Sequence, residues 1–420
     1  MTLTQKIIAS KSGQSSVRAG QIVRASVDVA LANDITAPVS IRELEKFENK
    51  VCDPDRVVFV LDHFTPNKDI KSAENCRFIR DFCSEHGIEK CYHGAEAGIE
   101  HALLPEQGLV LPGQLILGAD SHTCTYGALN AFSTGVGSTD LAVAIKTGEC
   151  WLKVPSAIKI VLAGNFRKYV SGKDLILHII GLIGVDGAAY RSIEFCGDTQ
   201  ALSIDDKFTV CNMGVEAGAK NCIFPADETV TEYVQAHNMC GRPYRVFEAD
   251  PDAEYEKTIY IDLSELDPVV AYPHLPSNIK SVYDAEKDRI RLDQVVIGSC
   301  TNGRYSDLEA AADILRGKKV SSHVRTIIIP ATPEIYKKAI KNGLMEVFTE
   351  SGCIISPPTC GPCLGGFMGI LADTEKCAST TNRNFVGRMG HTGSEVYLCS
   401  PAVAAQSAVE GIISAPKGDE

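Results

Sequence analysis

The feature that most restricts the fold is a recurring alternation along the chain. Short apolar runs rich in β-branched residues end in polar, glycine-containing loops, and a helical pattern often follows. Val57-Val58-Phe59-Val60-Leu61 runs into Asp62-His63, and Gln114-Leu115-Ile116-Leu117 into Gly118-Ala119-Asp120-Ser121-His122. Val295-Val296-Ile297 runs into Gly298-Ser299-Cys300-Thr301-Asn302, and Thr326-Ile327-Ile328-Ile329 into Pro330-Ala331. Cys353-Ile354-Ile355 runs into Ser356-Pro357-Pro358-Thr359-Cys360. Unbroken apolar runs of this length suit strands buried on both faces. Alternating with helices, they predict an α/β fold of parallel sheets with helices on both sides. Chemistry in such sheets collects just beyond the carboxyl ends of the strands. The polar clusters of this chain fall at those places.

The 420 residues suffice for two or three domains. Three α/β domains are expected: 1–165 with the Asp62-His63 and Asp120-Ser121-His122 loops, 166–287 with Glu194, and 288–420 with Cys300 and the Cys360/Cys363 pair. The acidic, proline-containing stretch Gly241–Asp293 reads as a connector. Trp151 is expected in the core. Leu175-Ile176-Leu177-His178-Ile179-Ile180 is expected as a buried helix with a structural histidine. No apolar run reaches the ~20 residues of a membrane span, and the N-terminus lacks the apolar stretch of a secretory signal. A cytoplasmic protein is expected. The net charge of −12 removes the broad basic footprint of a nucleic-acid binder. In a chain this acidic, arginines that could meet an anionic substrate stand out.

Sixteen cysteines in such a chain read as thiols or metal ligands rather than disulfides. Cys76, Cys83, Cys150, Cys196, Cys211 and Cys222 lack ligand spacing and read as small core residues. Cys360-Gly361-Pro362-Cys363 is a CxxC, which by itself fits a redox pair, half a zinc site or an ordinary loop. A closed zinc site wants a second pair, which is missing. Cys300 ends a strand of the same expected domain, so parallel strands could bring it to the CxxC. Three thiolates would hold three irons of a 4Fe–4S cube and leave the fourth open as a Lewis acid.

Taken together, Gly298-Ser299-Cys300-Thr301-Asn302 and Thr359-Cys360-Gly361-Pro362-Cys363 resemble the cluster-ligating motifs of the aconitase family. The resemblance extends to Asp120-Ser121-His122-Thr123, to Gly135-Val136-Gly137-Ser138-Thr139-Asp140, and to Asn382-Arg383-Asn384-Phe385-Val386-Gly387-Arg388-Met389-Gly390. These motifs run in the family's order across nearly the whole chain. The resemblance implies one 4Fe–4S cluster on Cys300, Cys360 and Cys363, with one open iron. It implies catalytic roles for Asp62, His63, Asp120, His122, Asp140 and Glu194. Arg383 and Arg388 would clamp substrate carboxylates through paired hydrogen bonds. Asn33 and Asp34 match a substrate-contacting segment more loosely. Asn302, Asn382 and Ser121 would neighbour the cluster. Phe367 departs from the pattern, where a His is expected.

Single-chain members of the family are longer and carry a mobile fourth domain. The resemblance therefore implies that this chain supplies domains one to three, and that a separate small subunit supplies the fourth, with a serine base and further arginines. The expected activity is a hydro-lyase that dehydrates or isomerises a branched hydroxy-diacid. Two-subunit members act on isopropylmalate, homocitrate, citramalate or 2,3-dimethylmalate. Asp62-His63-Phe64-Thr65-Pro66-Asn67-Lys68 most resembles the bacterial members acting on isopropylmalate, an intermediate of leucine biosynthesis. A non-enzymatic iron or redox sensor is the competing class, but it would have no use for the acid–base and arginine residues.

Overall fold

A computed structural model describes residues 1–417, and their contacts group into two compact units. The first comprises Met1–Gly164 and Ala188–Asp262; the second comprises Asn165–Gly187 and the chain from Leu263 onward. All five apolar runs singled out in the sequence are strands: Val57–Val60, Leu115–Gly118, Gln294–Gly298, Arg325–Ile329 and Ile354–Ile355.

The first unit holds a five-stranded sheet in the order Cys91–Tyr92, Val57–Val60, Val29–Asn33, Leu115–Gly118, Phe132–Gly135, parallel throughout. From Val29–Asn33 the chain builds outward to one side, then returns to build the other. The connections thus diverge between Val29–Asn33 and Leu115–Gly118. That divergence opens a crevice beyond the strand ends. The same unit has a second, four-stranded parallel sheet in the order Asn221–Ile223, Arg191–Gly197, Ser156–Ala163, Lys257–Asp262. An antiparallel ribbon pairs Ile22–Ser26 with Glu149–Lys153. Phe59, Leu117 and Phe132 are fully buried in one apolar core with Ile79, Ile145 and Ile223.

The second unit holds a seven-stranded sheet in the order Ile279–Ser281, Val269–Ala271, Glu395–Leu398, Lys376–Ser379, Gln294–Gly298, Arg325–Ile329, Ile354–Ile355. The last five run parallel, and the first two form an antiparallel edge. Here the connections diverge between Gln294–Gly298 and Lys376–Ser379. Val295, Ile297, Ile328 and Ala378 form the sheet's share of a core closed by Leu308, Phe348 and Val403. The helix Gly172–Ile183 opens on a Ser171/Asp174 capping box and buries Leu175, Ile176, Leu177, Ile179 and Ile180, as its sequence predicts. His178 is half-buried there, and burial lowers its pKa.

Three sequence expectations meet a different structure. Trp151 is 72% exposed, because the Glu149–Lys153 strand turns alternate residues outward on a two-stranded ribbon. Gly241–Asp293 is more than a connector. It supplies Lys257–Asp262 to one sheet and Val269–Ala271 and Ile279–Ser281 to another. Lys257–Asp262 and Ile279–Ser281 are partly exposed and carry polar residues, and the buried Val269–Ala271 is only three residues long, which masked them. The consecutive segments 1–165, 166–287 and 288–420 are interleaved in the contacts. Ser156–Ala163 pairs with Arg191–Gly197, and the Gly172–Ile183 helix is tied to Val269 by an Asp174–amide hydrogen bond of 3.0 Å. A strand or helix near a boundary carries no local mark of which sheet it will join. Among the described residues no helix is long and apolar enough to cross a membrane.

Candidate active site

In the first unit, side chains from the strand ends of the five-stranded sheet meet in a buried network of histidines and carboxylates. Asn33 ends Val29–Asn33, and Asp34 follows it. Asp34 accepts hydrogen bonds from the backbone amides of Asp62, His63 and Phe64 at 3.0, 2.8 and 2.8 Å, which fixes the loop beyond Val57–Val60. His63 then bonds through Nδ1 to Asp62 Oδ1 at 2.7 Å, and its Nε2 lies 3.7 Å from Asp120 Oδ2. Burial alone would lower the pKa of this imidazole. The anionic Asp62, with Asp34 and Glu100 behind it, overcomes that and holds His63 well above its usual range.

Asp120 follows Leu115–Gly118 and is the hub of the network. Its Oδ1 lies 2.9 Å from His101 Nε2, 3.5 Å from His122 Nδ1, and accepts the His122 amide at 2.8 Å. Burial pushes its carboxyl up, but the hydrogen bonds from His101 and His122 win and hold it well below the carboxylate range. Asn33 Nδ2 donates to Glu100 Oε1 at 3.0 Å and reaches Asp120 Oδ2 at 3.5 Å. Glu100 is buried, and desolvation together with the charges of Asp62 and Asp120 pushes its carboxyl well above the usual range. His122 Nε2 meets Glu216 Oε1 at 3.2 Å, and Ser121 Oγ lies 3.4 Å from His122 Nδ1. Ser121 and Asp140 also line an open cleft of about 460 Å³ with Tyr190 and Lys220, Asp140 standing on the first turn of Ser138–Thr147.

Glu194 is not part of this network. Its carboxylate accepts the amides of Leu3 and Thr4 at 3.0 and 2.9 Å and the Tyr255 hydroxyl at 3.0 Å. It therefore caps the helix Leu3–Lys11, where an anion meets otherwise unpaired N–H groups. The glutamates that do sit with the histidines are Glu100 and Glu216, and with His101 they were missed in the sequence. Glu100-His101 repeats the acid-then-histidine pattern of Asp62-His63 and could have been noticed. Glu216 lies among small and apolar residues, and nothing local marks it.

In the second unit, Cys300, Cys360 and Cys363 are buried, at 2%, 8% and 1% exposure. Gly298 at φ +136° and Ser299 at φ +72° turn the chain sharply beyond Gln294–Gly298 and present Cys300. The CxxC forms the short turn Gly361–Leu364, and the Phe367 ring and carbonyl lie against its Gly361. Hydrogen bonding to Cys300 and Cys363, and then burial, push the Cys360 thiol up. The three sulfurs thus converge.

Asn382, just beyond Lys376–Ser379, joins them: Cys363 Sγ donates to its Oδ1 at 3.2 Å, and its Nδ2 donates to Cys300 Sγ at 3.4 Å. Arg388 Nη2 points at Cys363 Sγ from 3.5 Å. Amide and guanidinium donors aimed at sulfur suit an anionic sulfur-ligated group. Cys300, Cys360 and Cys363 are therefore the residues that could hold one. Arg383 is half-buried on the same loop. Asn302 instead donates to Asp307 Oδ1 at 2.9 Å, at the first turn of Tyr305–Leu315.

Residues 5–411 match the aconitase family (aconitate hydratase). A protein of Lachnoclostridium phytofermentans named 3-isopropylmalate dehydratase large subunit is 59% identical over 418 residues, 99% of this chain and 98% of its own length. Proteins of the same name from Clostridium kluyveri and Caldicellulosiruptor saccharolyticus are 59% and 58% identical, over 99% and 100% of this chain and 99% of their own lengths. Among solved structures, the holo-form of aconitase X from Thermococcus kodakaraensis shares the fold at a TM-score of 0.50 and 14% identity, covering 90% of this chain and 89% of that one.

Proposed function

We propose that this chain, which belongs to the aconitase family, is the large subunit of a two-subunit hydro-lyase that interconverts 2-isopropylmalate and 3-isopropylmalate. The observation that carries the reading is the near-complete alignment, at 57–59% identity, with relatives all named as that subunit. The converging thiols of the second unit support it chemically. Cys300, Cys360 and Cys363 would hold a 4Fe–4S cluster by three corners. When bound, the cluster supplies a Lewis acid at its remaining iron, which polarises the substrate hydroxyl.

The chain's own residues supply proton handling and substrate binding. His63 keeps its Nδ1 on Asp62, so the proton it exchanges sits on Nε2. There it can protonate a departing hydroxyl and later recover the proton from water. Asp120 stays ionised and fixes the rings of His101 and His122, while Glu216 holds the far nitrogen of His122. Ser121 and Asp140 line a cleft open to solute. Arg383 and Arg388 bind substrate carboxylates and favour the charge that builds as the proton α to a carboxylate leaves. The base that takes that proton belongs to a small subunit, the partner that the name of the relatives implies. Removal of water followed by its return at the neighbouring carbon exchanges the positions of hydroxyl and hydrogen. Such an enzyme works in the cytoplasm.

The test is an anaerobic assay of the chain co-purified with its small subunit after reconstitution with iron and sulfide. Isopropylmalate, homocitrate, citramalate and 2,3-dimethylmalate are offered in parallel. Turnover of isopropylmalate that needs both subunits and disappears in Cys300→Ser is the expected result. Turnover of one of the other acids would keep the hydro-lyase and replace the substrate. No turnover of any, with both iron and sulfide bound, would remove the enzymatic reading in favour of an iron sensor.

A further inference from the structure

Among the described residues two lysines are fully buried, and they are satisfied in opposite ways. Lys207 Nζ sits 2.6 Å from both oxygens of Asp227, an ordinary buried ion pair. Lys173 has no such partner. Its Nζ donates to two backbone carbonyls, Thr380 at 2.7 Å and Thr381 at 2.6 Å. Among the described residues no carboxylate lies within ion-pair distance of it. The neighbouring Asp174 is spent on Ser171 and the Val269 amide. A buried ammonium without an anion is costly, and carbonyl dipoles compensate it only in part.

Both carbonyls belong to the segment that positions the cysteines. Thr380-Thr381 leads directly into Asn382, which touches Cys363 and Cys300. Thr380 Oγ1 also bonds the amide and the carbonyl of Gly298, at 2.8 and 3.1 Å, two residues before Cys300. The ammonium therefore stands behind the strand ends that lead to Cys300 and Asn382, and the groups around it that can become anionic are Cys399, Cys363, Asp307 and Cys300.

We propose that Lys173 is the buried countercharge of the cysteine site, a positioning residue whose ammonium, held on the Thr380 and Thr381 carbonyls, offsets the negative charge of the cluster bound there. The proposal rests on the cluster reading above. It separates two roles that a simple contact would merge. A structural pin stabilises the chain whether or not the site is filled. A countercharge stabilises only the filled site and burdens the empty one.

Lys173→Met removes the charge and the hydrogen bonds, whereas Lys173→Gln removes the charge and keeps a donor. Wild type and both variants are produced with the small subunit under anaerobic conditions and reconstituted. Iron and sulfide per chain, the rate of iron loss to a chelator, and the cluster midpoint potential are measured. Urea unfolding of the apo chains completes the set. Both variants should lose iron roughly ten-fold faster than wild type, the scale seen when groups supporting metal ligands are removed. Both potentials should move negative, because a nearby positive charge favours the added electron. Apo Lys173→Met should be at least as stable as apo wild type. Wild-type behaviour of Lys173→Gln in iron loss and potential, or a less stable apo Lys173→Met, would overturn the countercharge and leave a structural pin. Wild-type protein that binds iron without sulfide would instead overturn the cluster reading, and this proposal with it.

Discussion

At the scale of single residues, two buried glutamates are held by different partners. Glu194 satisfies two amides of a helix start, so its charge is spent inside the fold. Glu216 is spent on His122. Glu194→Gln should lower the urea stability of the chain by about 1–3 kcal/mol, the cost of stranding a buried donor. Turnover per folded molecule should stay unchanged. Glu216→Gln should do the reverse, cutting kcat by about 10²-fold or more, the scale of lost acid–base assistance. Its iron and sulfide content should remain full. Urea melts and single-turnover rates on the two variants check this, and matching profiles would return Glu194 to the site.

At the scale of elements, the candidate functional side chains stand where parallel sheets diverge. In each unit two neighbouring strands send their connections in opposite directions, and the loops beyond them cannot cover one another. Asn33 and Asp120 emerge at one such place, Cys300 and Asn382 at the other. The turn at Gly298 shows how tightly an element sets the site. At φ +136° a side chain is strained, and an added Cβ would run into the Ile329 carbonyl of the adjacent strand. Gly298→Ala should cost about 1–3 kcal/mol through strain. Its sharper effect should be a shift of the Cys300 loop and a loss of reconstitutable iron. Iron analysis after reconstitution reads this directly; a fully loaded Gly298→Ala protein would show that the loop tolerates the shift.

At the scale of the whole chain, the histidine–carboxylate network makes stability depend on pH from both sides. Asp120 is held below the value it has when unfolded, so its contribution is complete above that value. It is lost as pH falls through the folded one, on the acid side of about 3.9. His63 is held above its unfolded value, so its contribution is complete below about 6.5 and fades as pH rises through the folded value. Glu100 has the same sign as His63, since its folded pKa is also raised, and it begins to weaken the fold above about 4.3. Stability should therefore fall on the acid side and decline again toward alkaline pH. Glu100→Gln cannot ionise, so its stability relative to wild type should grow as pH rises from 4 toward neutrality. Urea midpoints at several pH values test the sign, and a constant difference would mean that Glu100 ionises without penalty.

The sequence by itself determined five strands of the parallel sheets and the fold class, and it singled out Cys300, Cys360 and Cys363 as candidate sulfur ligands. Buried parallel strands need unbroken apolar runs, and a CxxC with a third cysteine at a strand end is a local pattern. It could not place Trp151, divide the chain among sheets, or find Glu216. Each of these depends on partners that lie far along the chain: Glu194 on Leu3 and Thr4, Glu216 on His122, Lys173 on Thr380 and Thr381. A buried charge takes its role from the group that compensates it, and only the tertiary structure brings that group into contact.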